Sequence, residues 1–447
     1  MRCPRIFAWR FDTLILSAMV LTTVLAPTPS RAAPGDLDPT FGSGGAAILA
    51  VGVHSSADAL AVQSDGKILA AGYIFDGSLG SMAVIRLDST GALDPTFGSG
   101  GVVSLPAGIQ AIAHAIAIQP TDNKILVAGG MVADPDLDYD FRIVRLLNDG
   151  LSDGQLDTTF GTGGVVVPPA AGTVGAMSVV VQPDGKILAG GDGKPHLLSR
   201  SRNRDFVVHR YLADGSPDTG FGEGGRTVIS MGRRYDLVRS LLLQPAGAVL
   251  AAGYSFAGRS GRFALARLGA DGTLDPTFGR AGRQETRLIT RDDFAKDAAL
   301  LPDGRIVAGG GTVHVAPIVS TLSVTLAQFT SSGTLDPSFG TGGISSVTPF
   351  ANSSNQVVRI AVQSDGKIVG AGDVSGLNDP FDLLLARFLP DGSLDASFGT
   401  GGIVRTLLTS QDQAFTVAVQ PTDGGILVAG VSVVSGQARM LVARYLP

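Results

Sequence analysis

The sequence predicts an all-β fold: a single seven-bladed β-propeller with four antiparallel strands per blade. Three observations predict it. The motif Leu-Asp-Pro-Thr-Phe-Gly-x-Gly-Gly recurs seven times in recognisable form, with its phenylalanines at Phe41, Phe97, Phe160, Phe221, Phe278, Phe339 and Phe398. Their spacings of 56, 63, 61, 57, 61 and 59 residues mark an array of equivalent supersecondary units. Between the copies lie short β-rich runs broken by Gly- and Asp-rich turns, with no helical period. Units of about 59 residues with room for four strands each suit propeller blades.

Residues 1–32 have the form of a secretory signal peptide. Arg2, Arg5 and Arg10 precede the apolar run 14–26, and Ser30 and Ala32 supply small side chains before a cut after Ala32. That run is shorter than the roughly 20 residues a spanning helix needs. The mature chain, 33–447, is therefore expected outside the cytoplasm, periplasmic or extracellular, without a transmembrane span. It carries 30 basic and 38 acidic residues, a net charge of −8. Such a balance disfavours nucleic acid, whose phosphates call for a concentrated basic footprint. The single cysteine, Cys3, lies in the signal, so stability is expected from apolar burial without disulfides.

The repeats start near residues 37, 93, 156, 217, 274, 335 and 394. In the second, LDPTFGSGG leads into the short apolar run 102–105 and then the alternating strand pattern AIAHAIAIQ at 111–119. A PTDNK turn, the run ILVAGG at 125–130, a variable loop and FRIVRLL at 141–147 complete the unit. A second recurrent element is the hairpin signal QSDGKI (63–68, 363–368), QPDGKI (182–187) or LPDGRI (301–306), with looser copies at 119–125, 244–249 and 420–426. A third is an arginine near the end of the last strand: Arg86, Arg145, Arg210, Arg267, Arg387 and Arg444, with Gln328 in its place in one unit.

Two other architectures compete. A transmembrane β-barrel would show aromatic girdles, yet Trp9 in the signal is the only Trp and there are six Tyr. An open solenoid would show atypical capping repeats, whereas the first and last units are ordinary. A closed ring is expected to use the stretch near 45–51 to complete the last unit's sheet. Which strand lies innermost is left open.

LDxxFGxGG, AxQxDGKI and LxRxxxDG, in fixed order at this period, resemble the delta-60 repeat, a bacterial repeat of about sixty residues assigned to a β-propeller class. The resemblance covers all but the signal. Departures concentrate in unit four, where Pro217-Asp218 replaces Leu-Asp, Gly220 precedes Phe221, and 244–247 lacks the turn Asp. The family implies secreted or surface-associated proteins and supplies no catalytic residue.

Residues that recur in every unit are most simply explained by the scaffold. The seven Phe are expected to fill the spaces between blades. The motif aspartates Asp38, Asp94, Asp157, Asp218, Asp275, Asp336 and Asp395 are expected to pair with the strand-end arginines or cap turns, since guanidinium matches carboxylate bidentately. Function is sought instead in irregular loops on the opposite face from the DGK turns. Asp134, Asp136, Asp138 and Asp140 alternate through ADPDLDYDF, an oxygen-rich run suited to Ca²⁺, although Tyr139 and Arg145 fall where an EF-hand needs Gly and Glu. Lys194, His196, Arg200, Arg202 and Arg204 form a basic loop that suits an anionic ligand or the neighbouring acidic loop.

No HExxH, nucleophile elbow or P-loop is present. No catalytic residue and no cofactor is assigned. The preferred reading is a monomeric, non-enzymatic binding scaffold for a protein or cell-surface polymer. The alternative is a propeller hydrolase, lyase or lactonase at the channel mouth, where ionisable residues of several blades converge and His54, His114 and His314 are the ones to check.

Overall fold

Short strands with one apolar face must bury that face against a neighbour; in this chain they do so blade against blade. The computed structural model describes residues 32–105, 110–132, 140–168, 173–193, 203–231, 235–257, 260–290, 292–314, 321–350, 353–376 and 381–447. Residues 33–447 make one compact unit. Among the described residues, twenty-eight strands build seven four-stranded antiparallel blades. A single backbone pair, Asp140 with Val174, joins the sheets of blades two and three.

Blade one runs outward through His54–Val62, Ile68–Phe75, Gly80–Leu87 and Val102–Leu105. The first strand of each blade is the innermost. These seven are His54–Val62, Gln110–Ile118, Thr173–Val181, Asp236–Leu243, Asp292–Leu300, Ser353–Val362 and Asp412–Val419. Each touches the next, and the last touches the first. The ring is closed, which excludes an open solenoid. Blades are offset from repeats: the run 102–105, which opens the second repeat, is the outer edge of blade one.

The same offset closes the ring. Blade seven comprises Asp412–Val419, Ile426–Val434 and Gln437–Tyr445, and its outer strand is the N-terminal Ala46–Leu49, paired from Ala46↔Ala443 to Leu49↔Met440. Blade-to-blade hydrogen bonds follow suit. Gly98 N donates to Asp153 O of the next blade (2.9 Å), and at the seam Gly399 N donates to Pro34 O (2.9 Å).

Seven apolar clusters lie between successive blades, and each contains one motif phenylalanine. All seven rings are fully buried, each contributing on the order of 2 kcal/mol. A turn glycine of the adjoining blade packs on six of the rings; a Cβ on Gly91 would lie 3.0 Å from the Phe41 ring.

The aspartates pair as expected. Arg86 Nε donates to Asp94 Oδ2 (2.8 Å), while Asp94 Oδ1 accepts from the Thr96 amide (3.0 Å) and hydroxyl (2.7 Å). The guanidinium stacks 4.8 Å from the centre of Phe97, so one arginine clamps the turn and covers the ring. The same pairing joins Arg145 to Asp157, Arg210 to Asp218, Arg267 to Asp275, Arg387 to Asp395 and, across the seam, Arg444 to Asp38. The turn lysine, in DGK or in DNK at Lys124, adds a second cation in four blades, as where Lys67 Nζ lies 3.2 Å from Asp94. Blade five, which has Gln328 instead of arginine, is repaired by its DGR turn. Arg305 Nη1 donates to Gln328 Oε1 (2.6 Å) and Asp336 Oδ2 (3.2 Å). Where 244–247 lacks the turn Asp, the hairpin closes through a one-turn 3-10 helix, Pro245–Gly247, with Ala246 at φ 61°.

Candidate functional site

The inner strands share one irregularity. Ala57 pairs with Gly72 and Ala59 with Ala71, so Asp58 is a bulged residue with no partner in the ladder. The same shift isolates His114, Met177, Arg239, Lys296, Val358 and Phe415 in the other six blades. A glycine in the second strand makes room for it. A Cβ on Gly72 would stand 2.1 Å from Ser56 O, and one on Gly310 1.8 Å from Phe294 O. Gly129, Gly253, Gly372 and Gly430 are confined in the same way by the carbonyl two residues before their own bulge.

These seven bulged residues, with Arg359, line a single cavity of about 230 Å³ on the axis. A bulge re-aims its side chain, and here seven bulges aim seven different side chains at one point. Blades one and two supply Asp58 and His114, whose Oδ2 and Nδ1 are 4.0 Å apart. The Ser56 hydroxyl donates to Asp58 Oδ1 (2.8 Å). Blades four to six supply Arg239, Lys296 and Arg359. Arg359 is engaged: Nη1 donates to Arg239 O (3.0 Å) and Lys296 O (3.3 Å) and lies 3.6 Å from Asp297 Oδ1. Arg239 donates through Nη2 to the Tyr254 hydroxyl (3.0 Å) and through Nη1 to Met177 Sδ (3.5 Å). Its Nε is buried without a partner and, among the described residues, no carboxylate stands within ion-pair distance. The Lys296 ammonium has no hydrogen-bond or ion-pair partner among them either. Met177, Val358 and Phe415 complete an apolar wall.

The electrostatics follow from confinement. Burial raises Asp58 to about 6, against the Ser56 hydrogen bond and Arg359. Burial, Arg239 and Arg359 together lower His114 to about 4, so its imidazole is neutral at physiological pH. Burial and the two arginines also lower Lys296, while Asp373 opposes them. Asp373, bonded by Gln356 Nε2 (2.9 and 3.2 Å), is itself raised by burial to about 6.

The loop residues singled out from sequence are only partly described. Asp134, Asp136, Asp138, Lys194, His196, Arg200 and Arg202 lie outside the described residues. Asp140 begins an inter-blade backbone pair, with Oδ2 3.7 Å from Arg142 Nη2. Arg204 donates to Asp192 Oδ2 (3.0 Å), a buried carboxylate raised by desolvation. Both described members therefore sit in scaffold contacts. His114 lines the axial cavity, whereas His209 is an interior residue, buried between Phe141 and Tyr211 and lowered by burial to about 3. His54 stacks on Phe75 at a ring separation of 6.2 Å and lies off the axis cavity. A larger depression of about 910 Å³ opens on the DGK face, but Lys367, Arg387 and their repeated neighbours line it, and both cations are already bound to Asp395.

The axial residues other than His114 were not legible as a site, although a signal exists. Each bulge falls five positions before the Gln or Leu that opens the next turn: Asp58 before Gln63, His114 before Gln119, Lys296 before Leu301. Aligned on that turn, one column reads Asp, His, Met, Arg, Lys, Val, Phe amid otherwise repetitive neighbours.

Five segments of the chain, 63–97, 182–221, 244–278, 301–339 and 363–398, match a family model described as "Domain of unknown function (DUF5122) beta-propeller". No curated protein matches the chain. Among solved structures, the polysaccharide lyase Uly1 aligns at TM-score 0.48 and 12% identity over 95% of this chain and 94% of the lyase. Sqt1 from Chaetomium thermophilum bound to the N-terminus of ribosomal protein L10 aligns at TM-score 0.44 and 13% identity, covering 88% of this chain and 97% of Sqt1. A protein of unknown function from Dyadobacter fermentans aligns at TM-score 0.44 and 10% identity, covering 92% and 100%. The chain is a seven-bladed β-propeller repeat protein, and five of its repeats match the DUF5122 beta-propeller model.

Proposed function

We propose that this chain is an exported, non-catalytic binding scaffold of the delta-60 repeat kind, holding a protein or cell-surface polymer at the axial mouth and the irregular loops around it. The observation that carries this reading is the allocation of charge. The repeated Asp, Arg and Lys residues are spent on one another within the blades, as in Arg86–Asp94–Lys67. The side chains that differ from blade to blade converge on the axis. A rigid repetitive frame carrying a non-repeating centre is the construction expected of a recognition module. The export signal at 1–32 and a net charge of −8 for 33–447 suit a soluble envelope or extracellular partner. Among the described residues no helix is long and apolar enough to cross a membrane.

A second reading is favoured by one specific feature: a raised carboxyl and a neutral imidazole, Asp58 and His114, face two cations across a small cavity, as in a propeller hydrolase, lyase or lactonase. The deciding experiment incubates immobilised residues 33–447 with envelope extract and identifies what is retained and what is chemically changed. The scaffold reading expects a partner recovered intact and released by salt or competitor. Catalytic depletion of an extract component, abolished by His114→Gln, would replace it with the enzyme reading.

A further inference from the structure

We propose that the axial cavity binds the carboxylate of a small organic acid, seated between Arg239 and Lys296, with its hydrocarbon body against Met177, Val358 and Phe415. The proposal rests on the reading of this chain as a binding protein and names the chemistry that its centre accepts.

Four observations converge. First, the site is constructed. Bulges on seven strands, six of them with a confining glycine, place these side chains together, and no ion pair of the repeated belt uses Arg239 or Lys296. Second, two cations are unpaired. Arg359 is neutralised by Asp297 and held by two carbonyls. Among the described residues Lys296 has no hydrogen-bond or ion-pair partner, feeling only the charge of Asp373, and Arg239 keeps a buried Nε without an acceptor. Burying an unmatched charge costs free energy that an anion would return. In a chain that concentrates 38 carboxylates against 30 basic residues beyond the signal, this imbalance runs opposite to the whole. Third, the wall is asymmetric. The cations of blades four and five adjoin Met177 and Val358 of blades three and six, and Phe415 follows in blade seven. A carboxylate matches the planar guanidinium and the point-charge ammonium, and an attached hydrocarbon matches the apolar arc. Inorganic phosphate would leave that arc unfilled. Fourth, the volume selects. At about 230 Å³ the cavity falls below the roughly 300–1,000 Å³ of drug-sized sites, so it takes a few-carbon acid or the acidic end of a longer molecule. Asp58 and the neutral His114 on the remaining side offer hydrogen-bonding groups to a hydroxyl or second oxygen.

The test is calorimetric titration of the full mature chain, 33–447, with sodium butyrate, acetate and phosphate at constant ionic strength. We expect butyrate to bind one per chain, more tightly than acetate or phosphate. Lys296→Met and Arg239→Gln should each weaken butyrate by at least about tenfold, the scale of one lost charge-assisted hydrogen bond. Phe415→Ala should reduce the preference for butyrate over acetate and leave acetate itself little changed. Lys296→Met replaces a partnerless ammonium by a similar-sized apolar chain and serves as the folded control should Arg239→Gln lose its Tyr254 contact. Absence of butyrate binding to the parent, equal binding of phosphate, or butyrate affinity unchanged in Lys296→Met would each overturn the proposal. Capture of the envelope partner is measured on the same protein. If capture persists while butyrate fails, only the acid site is wrong; if capture also fails, the scaffold reading falls with it.

Discussion

Two rings of side chains run round this molecule, and they were made by opposite rules. The outer belt repeats one solution seven times: an aspartate in a turn, a cation clamping it, and a phenylalanine beneath. The axial ring occupies one structural position seven times and fills it with seven different residues. The difference teaches where constraint lies. Belt positions touch the next repeat, so each copy must satisfy the same neighbour. A bulged position faces the axis, where no two blades need the same chemistry. Blade five shows how firmly the belt is held, since loss of the strand-end arginine to Gln328 is answered by Arg305 reaching the same aspartate.

The glycines that permit the bulges join the two rings, and breaking one should have the largest effect. Gly310→Ala places a Cβ 1.8 Å from Phe294 O; loss of folded protein, or about 4 kcal/mol of stability, is expected in denaturant unfolding, at the severe end for single substitutions. The belt comes next. Arg86→Ala leaves Asp94 to Lys67 alone and strands the Asp153 carboxylate, and should cost about 3 kcal/mol.

The belt also fixes the acid limit. Burial would raise Asp395, but the Ser397 hydroxyl and amide, Arg387 and Lys367 outweigh it and hold it at about 2, below its ordinary 3.8. A depressed carboxyl contributes stability that is complete above the unfolded value and lost as pH falls through the folded one. The deficit of Asp395→Asn relative to the parent should therefore be full at pH 7 and shrink as pH drops from about 4 to about 2. Unfolding midpoints across that range would show it. A deficit constant down to pH 2 would mean that the carboxylate charge is immaterial. In blade five, where the substituting cation is one-third exposed, Arg305→Ala should cost only about 1 kcal/mol. A comparably small effect belongs to the axis: Met177→Leu, a volume-conserving change, should shift stability by less than about 1.5 kcal/mol.

Much of the belt was legible in the sequence because its signals are local and repeated. Phe97 lies three residues after Asp94, and Asp94 eight after Arg86, in a register that recurs with little change. Ring closure was legible too, since the stretch near Ala46–Leu49 lacked a blade of its own. The axial site was not. Its members lie about sixty residues apart, in strands whose alternation runs through the bulge without a break: AIAHAIAIQ reads as an ordinary strand across His114. The determining contact is between a glycine such as Gly129 and the Ile112 carbonyl, and a backbone approach leaves little trace in hydrophobic periodicity. Of the charge-rich loops, the described members Asp140 and Arg204 make blade contacts.

The division between frame and centre is tested most directly by measuring denaturant midpoints of Arg86→Ala and Lys296→Met with and without butyrate. The account predicts that Lys296→Met unfolds at or above the parent midpoint and is no longer stabilised by butyrate, while Arg86→Ala unfolds earlier and keeps the full butyrate shift. A Lys296→Met protein as destabilised as Arg86→Ala, or an Arg86→Ala protein that has lost the butyrate shift while still folded, would contradict it.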